Sequence, residues 1–199
     1  MLRILGRGTS GNVQKVVWLL EELKEPYKRE DYGRQFNNTQ TEEYLRLNPN
    51  GKVPTLVDGE AIVWESNTIL RDLSNKLAGG AALYPSEPAA RSQVERWMDW
   101  QLASLNAPYL GVFREAKKKE DERAASFAAD AKELSAQLEI LEKGMGGWIG
   151  GANFSIADIC LGPIIDRALA FPVSLPALPG VRAWRDRVVT REAYKKSKG

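Results

Sequence analysis

The chain has 199 residues, of which 43% are hydrophobic and 27% charged, and its formal net charge is +2. That length can bury a sizeable core as one domain or two small ones, and the near-balance of charge argues against a dedicated nucleic-acid binder. No apolar run approaches the ~20 residues that a membrane-spanning helix needs, and the opening MLRIL is too short for the core of a signal peptide. We therefore expect a cytoplasmic protein that binds neither nucleic acid nor membrane.

Two residue counts restrict the chemistry. The chain has no histidine and one cysteine, Cys160. The absence of histidine excludes Ser-His-Asp and Cys-His catalysis and most zinc sites. A single cysteine excludes intrachain disulfides and Cys-x-x-Cys redox chemistry. Catalysis must then use hydroxyls, amides, carboxylates, Lys, Arg, Tyr or helix dipoles, or a substrate with its own reactive group. Because Cys160 lies inside a predicted helix, we expect it to be buried packing.

The first 77 residues alternate between strand and helix signals. Apolar residues recur at helical spacing after the opening strand, and Asp58-Gly59-Glu60 separates two β-rich runs, which is typical of a hairpin. The predicted elements are strands over 1–5 and 27–31, helices over 12–23 and 42–47, hairpin strands at TLV and AIVW, and a helix from Ser66. This order predicts a compact α/β domain over residues 1–78.

The Gly/Pro-rich stretch 79–88 is typical of a linker, and helix signals alone follow it over 89–199. The first helix pattern is long, and Asn106-Ala107-Pro108 is expected to bend or interrupt it. In FSIADI, Ser155 can cap a helix while Asp158 returns a bond to the cap residue's own N–H. The second domain is therefore predicted to be all-helical.

Residues 6–11, GRGTSG, have the G-x-G-x-x-G spacing of a dinucleotide-binding turn between a strand and a helix. Asp31 lies where an acidic ribose-binding residue would stand in such a domain. The following strands form a hairpin, however, and strand signals end by residue 78. Too little sheet remains for a dinucleotide crevice, so we favour another function for this turn.

NPNGKVPTLVDGEAIVWESNTILRDL, residues 48–73, resembles the glutathione-site segment of cytosolic glutathione transferases, and FSIADI resembles their helix-capping box. The resemblance extends from residue 1 to about 190 and is strongest to bacterial members whose serine-type active site is theta-, zeta- or phi-like. It implies an α/β thioredoxin-like N-terminal domain that binds glutathione and an all-α C-terminal domain that carries the electrophile site. It also implies a detoxifying homodimer that uses glutathione as co-substrate, with no cofactor and no metal.

The resemblance assigns roles to the glutathione-site residues. It implies a cis bond before Pro54, for which the residues alone favour cis and trans equally, and pairing of the Val53 backbone with the cysteinyl backbone of glutathione. Ser66 is a good N-cap, and a helix N-terminus there would bind the γ-glutamyl carboxylate, with Glu65 fixing that charged end. Lys52 would pair with the glycine carboxylate; the alternative is a solvated turn lysine.

The enzyme's remaining task would be to deprotonate the glutathione thiol. Lowering a thiol pKa of about 8.5 by two units needs roughly 2.7 kcal/mol, and one hydrogen bond to a charged group contributes about 1.5–3 kcal/mol. A single hydroxyl at the first turn of the first helix is therefore sufficient. The resemblance places Ser10 at the serine position, while Asn12 and Thr9 are rivals and a plain helix cap is the alternative.

The second substrate should be a small apolar electrophile. Tyr109 and Phe113, one helical turn apart, are candidates to line its pocket, and packing in the core is an equal alternative. A glutathione-dependent isomerase, peroxidase or dehalogenase would begin from the same thiolate, although T-S-G-N departs from the Ser-Ser-Cys run of zeta-type isomerases. A glutathione-binding or scaffold protein without turnover is the alternative from another class.

Overall fold

The computed structural model describes residues 1–198 and divides into two compact units. The first contains residues 1–86 together with the segment from Val189 onward, and the second contains residues 87–188. The strands are β1 (Leu2–Leu5), β2 (Tyr27–Glu30), β3 (Thr55–Asp58) and β4 (Ala61–Trp64). The α-helices are α1 (Gly11–Leu23), α2 (Glu42–Leu47), α3 (Ser66–Lys76), α4 (Gly80–Leu83), α5 (Pro88–Trp100), α6 (Asn106–Glu115), α7 (Phe127–Gly144), α8 (Ile156–Ala168), α9 (Pro179–Thr190) and α10 (Glu192–Ser197).

The first unit is built on a four-stranded sheet of order β2-β1-β3-β4. β1 runs parallel to β2 and antiparallel to β3, and β3 pairs antiparallel with β4 as the predicted hairpin. Leu2, Ile4 and Leu5 of β1 are buried, because a central strand with apolar residues is covered on both faces. The predicted α/β order of this domain is confirmed, and α4 lies within the predicted linker 79–88.

The C-terminal segment belongs to the first unit, whereas the sequence placed residues 89–199 in one helical domain. α10 packs on α1: the buried rings of Trp18 and Tyr194 meet edge to face at 4.8 Å. Arg191 forms a bidentate ion pair with Glu22 at 2.6 and 2.7 Å. These contacts join residues about 170 positions apart, so local patterning does not reveal them.

The helical second unit contains an irregularity close to the predicted one. Residues Gln101–Leu105 form a π-helical segment between α5 and α6, so the interruption precedes Asn106-Ala107-Pro108 and does not coincide with it. Pro108 has no N–H to donate to the carbonyl of Ser104, and its ring clashes with that group in a regular helix. Widening the preceding turn relieves the clash, while Pro108 itself remains helical.

The predicted capping box at the start of α8 is confirmed. One carboxylate oxygen of Asp158 accepts the backbone N–H of Ser155 at 2.8 Å, while the other accepts Ile149 N–H at 2.9 Å and Trp184 Nε1–H at 2.8 Å. Burial raises the pKa of Asp158. This carboxylate therefore fixes α8, α9 and the loop before α8 to one another.

α8 forms the centre of the second unit, with eleven of its residues buried. Cys160 is one of them, and its thiol donates to Gln101 Oε1 at 3.6 Å. The prediction that this cysteine is buried packing is confirmed. Within the described residues, no helix has the length and apolar character that crossing a bilayer requires.

Candidate functional site

The GRGTSG segment is a tight turn between β1 and α1. Gly6 N–H donates to Glu30 O at 2.8 Å and Arg7 N–H to Tyr32 O at 3.1 Å, which attach the turn to the end of β2. A Cβ on Gly6 would lie 2.4 Å from a methyl of Val13 and 3.3 Å from Val53 Cβ. Glycine at position 6 thus lets the turn pack directly against the loop that contains Val53.

Ser10 is the N-cap of α1. Its backbone is extended (φ −82°, ψ 124°), its hydroxyl oxygen accepts the N–H of Val13 at 3.5 Å, and the residue is 7% exposed. This bond uses the hydroxyl as acceptor and leaves its own hydrogen for another partner. Thr9 and Asn12 share the turn and are exposed. The sulfur contact predicted for Ser10, Asn12 or Thr9 stays a prediction.

A buried network of polar side chains holds the loop before β3 in place. Val53–Pro54 is a cis peptide bond, as the resemblance implied. Tyr44 O–H donates to the carbonyl of Lys52 at 2.6 Å, and Asn48 Nδ2 donates to the same oxygen at 2.9 Å. Both side chains also contact Thr55 Oγ1, at 2.9 and 3.0 Å. Burial raises the pKa of Tyr44, so its hydroxyl stays protonated and donates.

Sequence reasoning missed Tyr44, Asn48 and Thr55 as supports of this loop. Asn48 opens the recognised NPNGKVP motif, but its side-chain partners become visible when α2 is folded against the loop. Tyr44 lies within α2, and Asn48, four residues later, is the C-cap residue that ends this helix. That spacing was the available signal.

The N-cap of α3 is Glu65, so the prediction that Ser66 caps this helix is wrong by one residue. Glu65 has φ +70° and ψ 115°, a backbone conformation that is rare and costly for a non-glycine residue. Ser66 is the buried first residue of the helix, where backbone N–H groups have no partner inside the helix. Asn50 Nδ2 donates to Glu65 Oε1 at 3.2 Å and ties this corner to the NPNGKVP loop.

Lys52 is exposed and lines a cavity of about 250 Å³ within the first unit. Two arginines from other loops, Arg7 and Arg34, line the same cavity. Sequence reasoning missed Arg7 because it evaluated GRGTSG for its glycines and hydroxyls, and it missed Arg34 because residues 33–40 have the pattern of a polar loop. The predicted glutathione residues within 52–66 and the Ser10 turn lie in the same unit. Within that unit, Lys15 Nζ donates to Asn67 Oδ1 at 3.4 Å and joins α1 to α3.

Tyr109 and Phe113, the predicted electrophile-pocket residues, lie in α6 of the second unit. Their rings stack at 5.9 Å, and Phe171 lies 5.5 Å from Tyr109. Tyr109 is buried and burial raises its pKa, whereas Phe113 and Phe171 are half-buried. The pair thus belongs to an aromatic cluster that contributes to the core and keeps a partly open side.

A mixed four-stranded unit with a cis-proline loop, joined to an all-helical unit, has the thioredoxin-like and helical architecture of glutathione transferases. The glutathione S-transferase N-terminal domain model matches residues 2–75, and the C-terminal domain model matches residues 124–187. The chain belongs to the glutathione S-transferase family and is an enzyme of that class.

Three relatives illustrate the similarity. Glutathione S-transferase GstB of Escherichia coli is 33% identical, over 98% of this chain and 97% of its own. Disulfide-bond oxidoreductase YfcG of the same organism is 30% identical, over 92% of this chain and 87% of its own. The theta class glutathione S-transferase of Xanthomonas axonopodis pv. citri, solved with glutathione bound, superposes with a TM-score of 0.88 at 36% identity and covers 98% and 96% of the two chains.

Proposed function

We propose that this transferase activates the thiol of glutathione at the N-terminus of α1 and conjugates it to an apolar electrophile. The observation that carries the proposal is Ser10, a buried N-cap hydroxyl on a turn that packs against Val53. Glutathione bound to the theta class relative supports the choice of thiol. Ser10 would donate its remaining hydrogen to the sulfur, while the positive end of α1 favours the thiolate.

The energies are of the required size. Lowering the thiol pKa by two units needs about 2.7 kcal/mol of preferential stabilisation. A hydrogen bond to a charged group contributes about 1.5–3 kcal/mol, and a helix N-terminus about 0.3–1 kcal/mol. The thiol proton leaves to solvent, so no general base is required. The thiolate sulfur then forms a bond to the electrophilic carbon as the leaving group departs with the bonding electrons.

Other residues would hold the tripeptide. The Val53 backbone pairs with the cysteinyl backbone as in strand addition. The first turn of α3, at Glu65 and Ser66, binds the γ-glutamyl carboxylate because its N–H groups and helix dipole favour an anion. Lys52 binds the glycine carboxylate. The strained backbone of Glu65 supports this assignment, since strain of this kind clusters at ligand-binding sites.

The aromatic cluster of Tyr109, Phe113 and Phe171 is the part of the second unit that we assign to the electrophile. Its half-buried phenylalanine rings offer apolar surface to an aryl group. We also infer a homodimer in the cytoplasm. Ile62 and Trp64 on the edge strand β4 are 40% and 39% exposed, and exposed apolar residues of this size are typical of a surface that a partner covers.

The decisive experiment combines binding and turnover. The purified protein should bind to immobilised glutathione, elute with free glutathione, and conjugate an activated aryl halide with formation of the coloured thioether. Ser10→Ala should still bind glutathione but form less thiolate, as measured by the ultraviolet absorbance of bound thiolate. A protein that neither binds the resin nor forms conjugate would refute the proposal.

A second candidate function is glutathione-dependent disulfide reduction, which the similarity to YfcG favours. Cys160 is buried, so the attacking sulfur would have to come from glutathione. The bound thiolate attacks a substrate disulfide, a mixed disulfide forms, and one substrate thiolate leaves; a second glutathione thiolate then releases the other thiol and glutathione disulfide. Measuring glutathione disulfide formed from a small disulfide, beside the conjugation assay, separates the two activities.

A further inference from the structure

Three basic side chains converge on one cavity of the first unit. Arg7, Arg34 and Lys52 line a space of about 250 Å³, which we call the cationic pocket. The remaining residues of its lining are Gly33, Thr39, Gly51 and Val53. Among the described residues that form this lining, none is acidic, so the pocket concentrates positive charge.

The two arginines are held in place by the backbone. Arg7 is anchored on both sides: its N–H donates to Tyr32 O and its C=O accepts the N–H of Ser10, both at 3.1 Å. A Cβ on Gly33 would lie 2.9 Å from Arg7 Nη1, so the guanidinium lies directly over the Cα of that glycine. Gly33, at φ +85°, also accepts Phe36 N–H and donates to Asn38 Oδ1.

Arg34 has φ +44°, a left-handed conformation that is unusual for arginine. Its carbonyl accepts Asn37 N–H at 2.9 Å, which holds the loop in this turn. Nearby acidic groups have other cations as partners: Asp31 pairs with Arg29, and Glu30 pairs with Arg3 at 2.7 Å.

One glycine carboxylate carries a single charge, whereas the pocket presents three cations. We propose that the cationic pocket binds a phosphate dianion, and that this phosphate competes with glutathione. The competition between phosphate and glutathione rests on the proposed function, since Lys52 and Val53 would contact both ligands. Phosphate binding to the pocket does not depend on the proposed function. A guanidinium presents parallel N–H donors that match two phosphate oxygens, and Lys52 adds a point charge.

Competition would make glutathione affinity depend on the phosphate level. Arg7 links the two events physically, because its carbonyl is the acceptor for Ser10 N–H in the turn that carries the proposed thiolate site. The shared chemistry is a tetrahedral dianion, and either free inorganic phosphate or a small phosphate monoester can supply it. The test distinguishes these sources.

The test titrates the full chain into inorganic phosphate at constant ionic strength and follows the phosphorus NMR line width, without glutathione. The variants are Arg7→Gln and Arg34→Gly, the latter because glycine accepts φ +44° without strain. Arg46→Gln is the control, since Arg46 is an exposed arginine of α2 paired with Glu42 outside the pocket. Circular dichroism verifies that each variant is folded.

We expect each pocket variant to weaken phosphate binding by about 10-fold, which is about 1.4 kcal/mol, and the control to change it less than 2-fold. In a second arm, phosphate should raise the apparent dissociation constant of glutathione, and sodium acetate at equal ionic strength should raise it much less. Methyl phosphate in place of phosphate identifies the source. If methyl phosphate binds at least as tightly as inorganic phosphate, the ligand of the pocket is a phosphate monoester. If methyl phosphate binds more weakly, the ligand is free inorganic phosphate.

The inference is overturned if phosphate acts no more strongly than acetate, or if Arg7→Gln and Arg46→Gln behave alike. Binding of glutathione without binding of phosphate would reject this inference and leave the proposed function intact. Binding of phosphate that depends on Arg7, in a protein that does not bind glutathione, would reject the proposed function and leave the cationic pocket established.

Discussion

The hydroxyl of Tyr44 donates a 2.6 Å hydrogen bond to the backbone carbonyl of Lys52, one residue before the Val53–Pro54 bond. The phenol is buried, and its ring stacks on Tyr32 at 5.1 Å. Tyr32 in turn accepts the N–H of Arg7 through its backbone carbonyl. A continuous set of contacts therefore runs from the turn before α1 to the proposed glutathione loop.

Tyr44→Phe should loosen this loop while it preserves the ring packing. The Lys52 carbonyl keeps Asn48 as a donor, so we expect a loss of about 0.5–1.5 kcal/mol in the free energy of unfolding. The KM for glutathione should rise several-fold with a smaller change in kcat, because the loop binds and does not react. Tyr27→Phe is the matched control, since Tyr27 contacts Glu21 and not the loop. Equal glutathione affinities in both variants would contradict a positioning role for Tyr44.

Ser10→Ala should raise the pKa of the bound glutathione thiol by about one to two units, because a hydrogen bond to a charged group is worth about 1.5–3 kcal/mol. The pH profile of kcat/KM should shift upward by the same amount. Loss of the helix cap should cost about 1 kcal/mol of stability, and Ser10→Thr should retain both properties. If the profile is unchanged in Ser10→Ala and shifts in Asn12→Ala or Thr9→Ala, the activating group is the rival residue.

Local features of the fold were predictable from the sequence. α1, the β3–β4 hairpin and the capping box at Ser155 and Asp158 depend on residues within one or two turns of each other. Apolar spacing, an Asp-Gly turn and cap chemistry are therefore sufficient to predict them. The glutathione-site residues were predicted through a motif, and the Ser10 turn through the same resemblance.

Features set by distant contacts were not predictable in this way. Glu65 occupies the N-cap position of α3 with φ +70°, a conformation that intrinsic preference disfavours, so residue type alone does not predict it there. Trp18 and Tyr194 lie far apart in the sequence, so local patterning does not predict that the C-terminal helix packs within the first unit. The approach of Arg7 to Gly33 depends on how two loops pack, which no periodicity encodes.

Asp158→Ala should strongly destabilise the second unit. It removes the capping box, worth about 0.5–2 kcal/mol, and leaves the buried donors Ile149 N–H and Trp184 Nε1–H unsatisfied at about 1–3 kcal/mol each. We expect a total loss of about 3 kcal/mol or more in urea unfolding followed by tryptophan fluorescence. Asp186→Ala, at an exposed carboxylate of the same unit, is the control and should change stability little. A similar small effect at Asp158 would show that the carboxylate is dispensable.

The stability of the protein should fall between about pH 10 and 12 partly through Tyr27. Burial and, to a smaller extent, the hydrogen bond to Glu21 raise the pKa of Tyr27 to about 12, from about 10 in the unfolded chain. A raised folded-state pKa gives stability that is complete below pH 10 and is lost as the pH rises toward 12. Tyr27→Phe should therefore flatten the decline of unfolding free energy over this range. An identical decline in the wild type and the variant would show that Tyr27 does not titrate in this way.

Arg191→Gln should loosen α10 from α1, because it replaces a bidentate ion pair with Glu22 by at most a neutral contact. Glu22 also accepts Trp18 Nε1–H at 2.8 Å, so the carboxylate keeps one donor and the expected loss is about 1 kcal/mol. Hydrogen exchange should increase in α10 and in the facing residues of α1. Lys195→Gln is the control, since Lys195 is exposed and pairs within α10.

Because Gln14 Nε2 donates to Ser197 Oγ at 3.3 Å one turn from Ser10, the loosening should extend to the first turn of α1. Exchange that rises in α10 alone would show that the C-terminal helix does not support the turn of the proposed thiolate site.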